Sequence, residues 1–194
     1  MLRTLALAAL AVMVAATLFF FARNRTHAGQ ESAGKGYETY LGLRNLILTG
    51  SRTKFSLPAT SQPTEPWGVV MDWGVKTGTV TAVAMSDGGA SIYLSRGGGS
   101  LGGAGQEAIR NAAKKAVNLA SAVQGQMEEK KTFPLPAMGE VRFYALTDAG
   151  VFSAKAPEAD LQAGRGPFAS LSDAMQQVIT AYRIHEQNYQ KPPS

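Results

Sequence analysis

The sequence predicts an α+β domain, an antiparallel β-sheet covered by helices, preceded by one N-terminal transmembrane helix. Three observations carry that expectation. Residues 4–22, TLALAALAVMVAATLFFFA, hold no charge, and roughly 20 apolar residues are what a helix needs to cross a hydrocarbon core. From residue 67 onward, short β-branched and aromatic runs follow one another through glycine-containing turns, the pattern of hairpins. Strands grouped in this way, each group closed by a stretch with helical spacing, argue for α+β rather than for alternating parallel units.

Length and composition narrow the classes. A chain of 194 residues has room for one anchor or export segment and one domain. Hydrophobic residues at 45% against 17% charged supply enough apolar surface to offset the entropy of ordering, so the chain is globular rather than disordered. The net charge of +5 raises nucleic acid as a partner. Arg3, Arg23 and Arg25 flank the apolar segment, however, and removing those three from the 19 Lys and Arg leaves 16 against 14 acidic residues. No basic stripe interleaved with aromatics stands in the remainder, so no nucleic acid is expected. The absence of cysteine excludes disulfides, thiolate metal sites and cysteine nucleophiles. Two histidines cannot build a His-rich metal site, and no calcium-loop motif appears, so neither metal nor cofactor is expected.

The elements follow in order. Residues 1–25 read as a transmembrane anchor or signal sequence. The small residues of Thr26-His27-Ala28 offer a cleavage point, whereas Arg23 and Arg25 ahead of it favour an uncleaved anchor. Arg23, Arg25 and Lys35 outnumber Arg3 and the terminal amine, which leans a single-pass membrane protein towards a cytoplasmic domain. An exported or periplasmic domain stays open. Residues 26–66 form a polar tether (NRTHAGQESAGKG), a short helix over Tyr37 to Leu48, and a Pro/Ser/Thr-rich linker.

Residues 67–186 are the α+β domain. WGVVMDWGV reads as a strand, and Asp87-Gly88-Gly89 joins Thr79 to Met85 with Ser91 to Ser95 as a hairpin. Gln106 to Gln124 is the clearest helix, with Ile109, Ala113, Ala116, Val117, Ala120 and Val123 on one face. EEKKTFPLPAMG is a charged, proline-broken connection. A second hairpin turns at Asp148-Ala149-Gly150, PEADLQAGRGPFA is a loop, and Ser170 with Asp173 resembles a capping pair opening the last helix. Residues 187–194 are a polar tail.

In layout this order resembles profilin-like and roadblock-type domains, a topological likeness that confers no function. WGVVMDWG, TAVAMSDGGASIYLSRGGGSLGG, PLPAMGEVRFYALTDAGVFSA and SDAMQQVITAYR together resemble a family of uncharacterised bacterial proteins sharing that motif order, over residues 67–183. The resemblance carries over no catalytic residue. Members of that family often lack an anchor, so this N-terminus is a departure from it.

The chemistry concentrates in one stretch, LSRGGGSLGGAGQEAIR. Gly97 to Gly102 fits G-x-G-x-x-G between a strand and a helix, where glycine amides and a helix N-terminus attract an anion. A dinucleotide site also needs a parallel βαβ unit and an acidic residue after the next strand, and no G-K-[ST] follows for a P-loop. Side-chain-free backbone turning a corner explains the same glycines. The candidate ligand-binding residues are therefore Arg96, Gly97, Gly98, Gly99, Ser100 and Gly102. Ser100 within Gly98-Gly99-Ser100-Leu101-Gly102 also has the letters of a nucleophile elbow, with His185 as the only histidine after it and Asp148 or Asp160 as the acid. Asp72, Asp87 and Asp148 have structural roles at hand, and Trp67 and Trp73 read as packing.

The leading expectation is a membrane-tethered, non-enzymatic interaction or scaffold domain, with a homodimer or another protein as partner. A small-ligand or phosphate sensor using Gly97 to Gly105 is the alternative, and a hydrolase centred on Ser100 the third.

Overall fold

Strand β1 (Gly68–Val75) alternates Val69, Met71 and Trp73 with Val70 and Asp72, and both sets are buried. A strand buried on both faces belongs at the centre of a covered sheet. The computed structural model, which describes residues 30–189, places it there. Strands β2 (Gly78–Met85), β3 (Ala90–Leu94) and β4 (Gly99–Leu101) extend from one side of β1; β6 (Glu140–Leu146), β7 (Val151–Pro157) and β5 (Glu128–Glu129) extend from the other. The order is β4-β3-β2-β1-β6-β7-β5, antiparallel at every pairing.

One face of the sheet is covered by α2 (Glu107–Val123), α3 (Glu158–Gln162) and α4 (Ala169–Tyr189). Ile109, Ala113, Ala116, Val117 and Ala120 form the buried stripe of α2, and its alanines let the helix lie close to Val80, Ala82 and Ile92. From α4, the hydroxyl of Tyr182 donates to the Ala90 carbonyl at 2.5 Å, and burial pushes this phenol up to about 12. The other face is covered by α1 (Gln30–Thr49), which buries Tyr40, Ile47 and Leu48 against Val70, Val83, Tyr93 and Tyr144. Helix α1 therefore shares a core with the sheet. Phe133 and Leu135, from the proline-containing strap between β5 and β6, pack beside it.

The expected opening transmembrane helix is corrected. Among the described residues no helix is long and apolar enough to cross a membrane, and the first described helix, α1, lies on the sheet. Residues 4–22, on which that expectation rested, fall outside the described residues. From Gln30 the expected tether is already helix, seven residues ahead of Tyr37. The tail continues α4 through Tyr189, and its remainder also lies outside the described residues.

Three further differences are local. Glu128–Glu129 form an edge strand against Phe152 and Ser153, too short to leave a period in the sequence. Glu158–Gln162 is a short helix where a loop was expected. Ser170 sits inside α4, which already begins at Ala169.

The glycine run turns β3 back on itself. The Gly97 amide donates to the Leu94 carbonyl at 2.8 Å and the Leu94 amide to the Gly98 carbonyl at 3.1 Å. Gly97, Gly98 and Gly99 all have positive φ, so the stretch becomes a hairpin rather than a direct crossover to α2. At Gly99, φ is +150° and an added Cβ would stand 2.1 Å from the Ile92 carbonyl oxygen. Gly99→Ala is expected to destabilise the protein by about 1–3 kcal/mol, read as a lowered thermal midpoint. Gly105→Ala, with nothing within 4 Å of the added Cβ, should leave the midpoint unchanged.

Candidate functional site

The α1 side of the sheet carries a buried polar cluster with an open groove above it. Register sets Asp72 of β1 directly opposite Thr81 of β2 and Arg142 of β6. Helical spacing from Tyr40 brings Arg44 onto the same face, over Asp72. The Arg44 Nε and Nη2 donate to Asp72 Oδ2 at 2.8 and 2.5 Å, and the Thr81 hydroxyl donates to Oδ1 at 2.5 Å. Asp72 is fully buried and the Arg44 side chain is 7% exposed.

Arg44 also reaches beyond the pair. Its Nη1 donates to the Phe133 carbonyl at 2.9 Å, and its Nη2 lies 3.3 Å from the Tyr144 hydroxyl, which itself donates to the Pro134 carbonyl at 3.0 Å. One guanidinium thus joins α1, β1, β6 and the strap. Tyr40 extends the cluster upward, its hydroxyl 3.0 Å from that of Thr81.

Burial pushes the Asp72 carboxyl up, opposed by Arg44 and Thr81. For Arg44, burial alone would lower the pKa, but the charge and hydrogen bonds of Asp72 outweigh it and leave the guanidinium firmly protonated. Burial raises the Tyr40 phenol and pushes that of Tyr144 up to about 12. The tyrosines therefore stay neutral at physiological pH, and the ion pair is closed by its own partners.

The groove, of about 830 Å³, runs between the N-terminal half of α1 and the β3–β4 hairpin. Tyr40 and Tyr93 lie deepest, at 2% and 5% exposure. Lys35, Gly36, Thr39 and Leu43 line the helix side; Leu94, Gly97, Gly98, Gly99 and Leu101 line the hairpin side. Gly36 and Gly97 meet at one end: a Cβ on Gly36 would stand 3.2 Å from the Gly97 Cα. Helix and hairpin touch there because neither carries a side chain.

The expected site residues separate in space. Gly97, Gly98 and Gly99 line the groove. The Arg96 carbonyl faces Gly36, while its side chain passes Gly78 and the residue is exposed, outside the groove lining. Ser100 pairs with Ile92 on the opposite face of the sheet, and its hydroxyl donates to the Glu186 carboxylate of α4. Gly102, with φ +77°, precedes the 3-10 turn Gly103–Gly105. Asp148 pairs with Arg52 and Asp160 with Arg165, beyond the far side of β1 from Ser100, so the Ser100-centred triad is not assembled with either aspartate. Among the described residues no group of three or more His, Asp or Glu is placed to hold a metal ion.

Lys35, Thr39, Tyr40, Leu43, Arg44 and Tyr93 were not singled out from the sequence as site residues. A signal was present for the cluster: Arg44 interrupts the apolar face of YETYLGLRNLIL, and Asp72 interrupts a strand otherwise apolar throughout. A single charge on each of two apolar faces calls for a partner of opposite sign once both faces are buried. The chain matches no protein-family model, no curated protein and no solved structure.

Removing one partner of the pair strands the other charge in the core. Asp72→Ala is expected to cost about 3–5 kcal/mol, measured by urea unfolding. The double variant Arg44→Met with Asp72→Leu should be distinctly less destabilised than the sum of its single changes, giving a large coupling in a double-mutant cycle.

Proposed function

We propose that this is a non-enzymatic binding domain that takes its ligand in the groove between α1 and the β3–β4 hairpin. The observation that carries this reading is the contrast between the open groove and the closed chemistry beneath it. The groove is about 830 Å³, mostly apolar, with two aromatic residues at its floor. That size lies within the roughly 300–1,000 Å³ of small-molecule sites. The ionisable groups below it spend their donors and acceptors on one another. Their role in this reading is to hold α1 in place as one wall.

The free side of β4 supports a second reading, self-association. Among the described residues no strand lies beyond β4 in the sheet, and Leu101 is 64% exposed there. An uncovered strand edge with an apolar side chain favours pairing with another copy.

Thermal-shift screening of the full chain against small metabolites, alongside a Thr39→Trp variant, tests the first reading. Thr39 is exposed and lines the groove, so tryptophan fills the space at little cost to the core. Ligands should raise the midpoint of the parent protein and leave that of Thr39→Trp unmoved, because binding to the native state stabilises it. Equal shifts in both proteins, or none in either, contradict a groove site. Sedimentation across a concentration range tests the second reading, which requires a dimer that Leu101→Glu disperses.

A further inference from the structure

The chemistry of the groove lining is lopsided. Among the described residues Lys35 is its one charged group, at the exposed helix side, and most of the remaining lining is apolar or bare backbone. Tyr40 has its hydroxyl engaged with Thr81, so it is the ring that serves the groove. Of the hairpin amides, that of Gly97 is spent on the Leu94 carbonyl and is not offered to an anion. With Arg96 outside the lining, an anion in the groove has Lys35 as its cationic partner among the described residues.

We propose that the groove selects anionic amphiphiles, small molecules with one apolar chain ending in a carboxylate. The chain lies over Tyr40, Tyr93, Leu43 and Leu101, along the side-chain-free wall of Gly97 to Gly99. The carboxylate meets the Lys35 ammonium. This proposal rests on the groove being a binding site at all. A compact anion without a chain leaves the apolar walls wet, and a neutral chain forgoes the ammonium. A protein partner is disfavoured by size, since stable interfaces bury about 800 Å² on each side, far more than this short groove presents.

Titrating the full chain with decanoate, decan-1-ol and inorganic phosphate, each below its aggregation limit, separates the two layers of the argument. The amide resonances of Gly97, Gly98 and Gly99 report occupancy of the groove itself. Decanoate should shift them saturably, decanol should bind about fivefold more weakly, as one exposed ion pair allows, and phosphate should leave them unmoved. Lys35→Gln should erase the difference between decanoate and decanol, and Thr39→Trp should abolish both. If decanoate and decanol bind the groove equally and Lys35→Gln changes neither, the anionic selection is overturned while the groove remains a binding site. If neither probe moves those resonances, or Thr39→Trp leaves both affinities intact, this proposal and the reading beneath it fall together.

Discussion

The buried pair of Arg44 and Asp72 is the constraint around which the α1 side of the molecule is arranged. Taking two charges out of water is expensive, and apolar residues of the same volume often stabilise a core as well or better. What the pair supplies is position. The Arg44 guanidinium has its charge and donors met by Asp72 on β1, Tyr144 on β6 and the Phe133 carbonyl on the strap. The apolar contacts of Ile47 and Leu48 are non-directional, whereas the hydrogen bonds of Arg44, with that of Tyr40 to Thr81, are directional and fix where α1 sits.

The groove inherits its shape from that seating. Arg44 is one helical turn from Tyr40, and Tyr40 is one turn from Gly36, so fixing the guanidinium also fixes the floor and one end of the groove. The hairpin side is set independently, by antiparallel pairing of β3 with β4 and by glycines adopting positive φ. The opposite layer, with α2 and α4 on the other face, is joined mainly by apolar packing, with Tyr182 bonded to Ala90 and Ser100 to Glu186, and none of its residues lines the groove. The molecule thus divides into a stable sheet-and-helix body and a helical wall clamped to it by polar contacts.

How much of this was legible depended on distance along the chain. The β2–β3 hairpin was legible because Asp87, Gly88 and Gly89 carry turn chemistry locally, and the α2 face because its apolar residues recur every three or four positions. The antiparallel α+β arrangement followed from that local order. Arg44 and Asp72 are 28 residues apart, and Arg44 and Tyr144 are 100 apart, so neither propensity nor period could join them. The glycine run was legible as a corner and as a candidate site, but its facing wall was not: Gly36 and Thr39 come from a helix some 60 residues earlier, read as starting only at Tyr37. Ser100 and Gly99 are neighbours in sequence and face opposite sides of the sheet, a separation that strand alternation imposes once β4 is recognised as a strand.

Hydrogen exchange measured helix by helix, on the parent protein and on Arg44→Met, addresses the central claim most directly. If the guanidinium seats α1, amides of residues 40–49 lose protection in the variant while those of α2 and α4 keep theirs. Unchanged protection in α1, or an equal loss across all three helices, would show that this wall is held by something other than the buried pair.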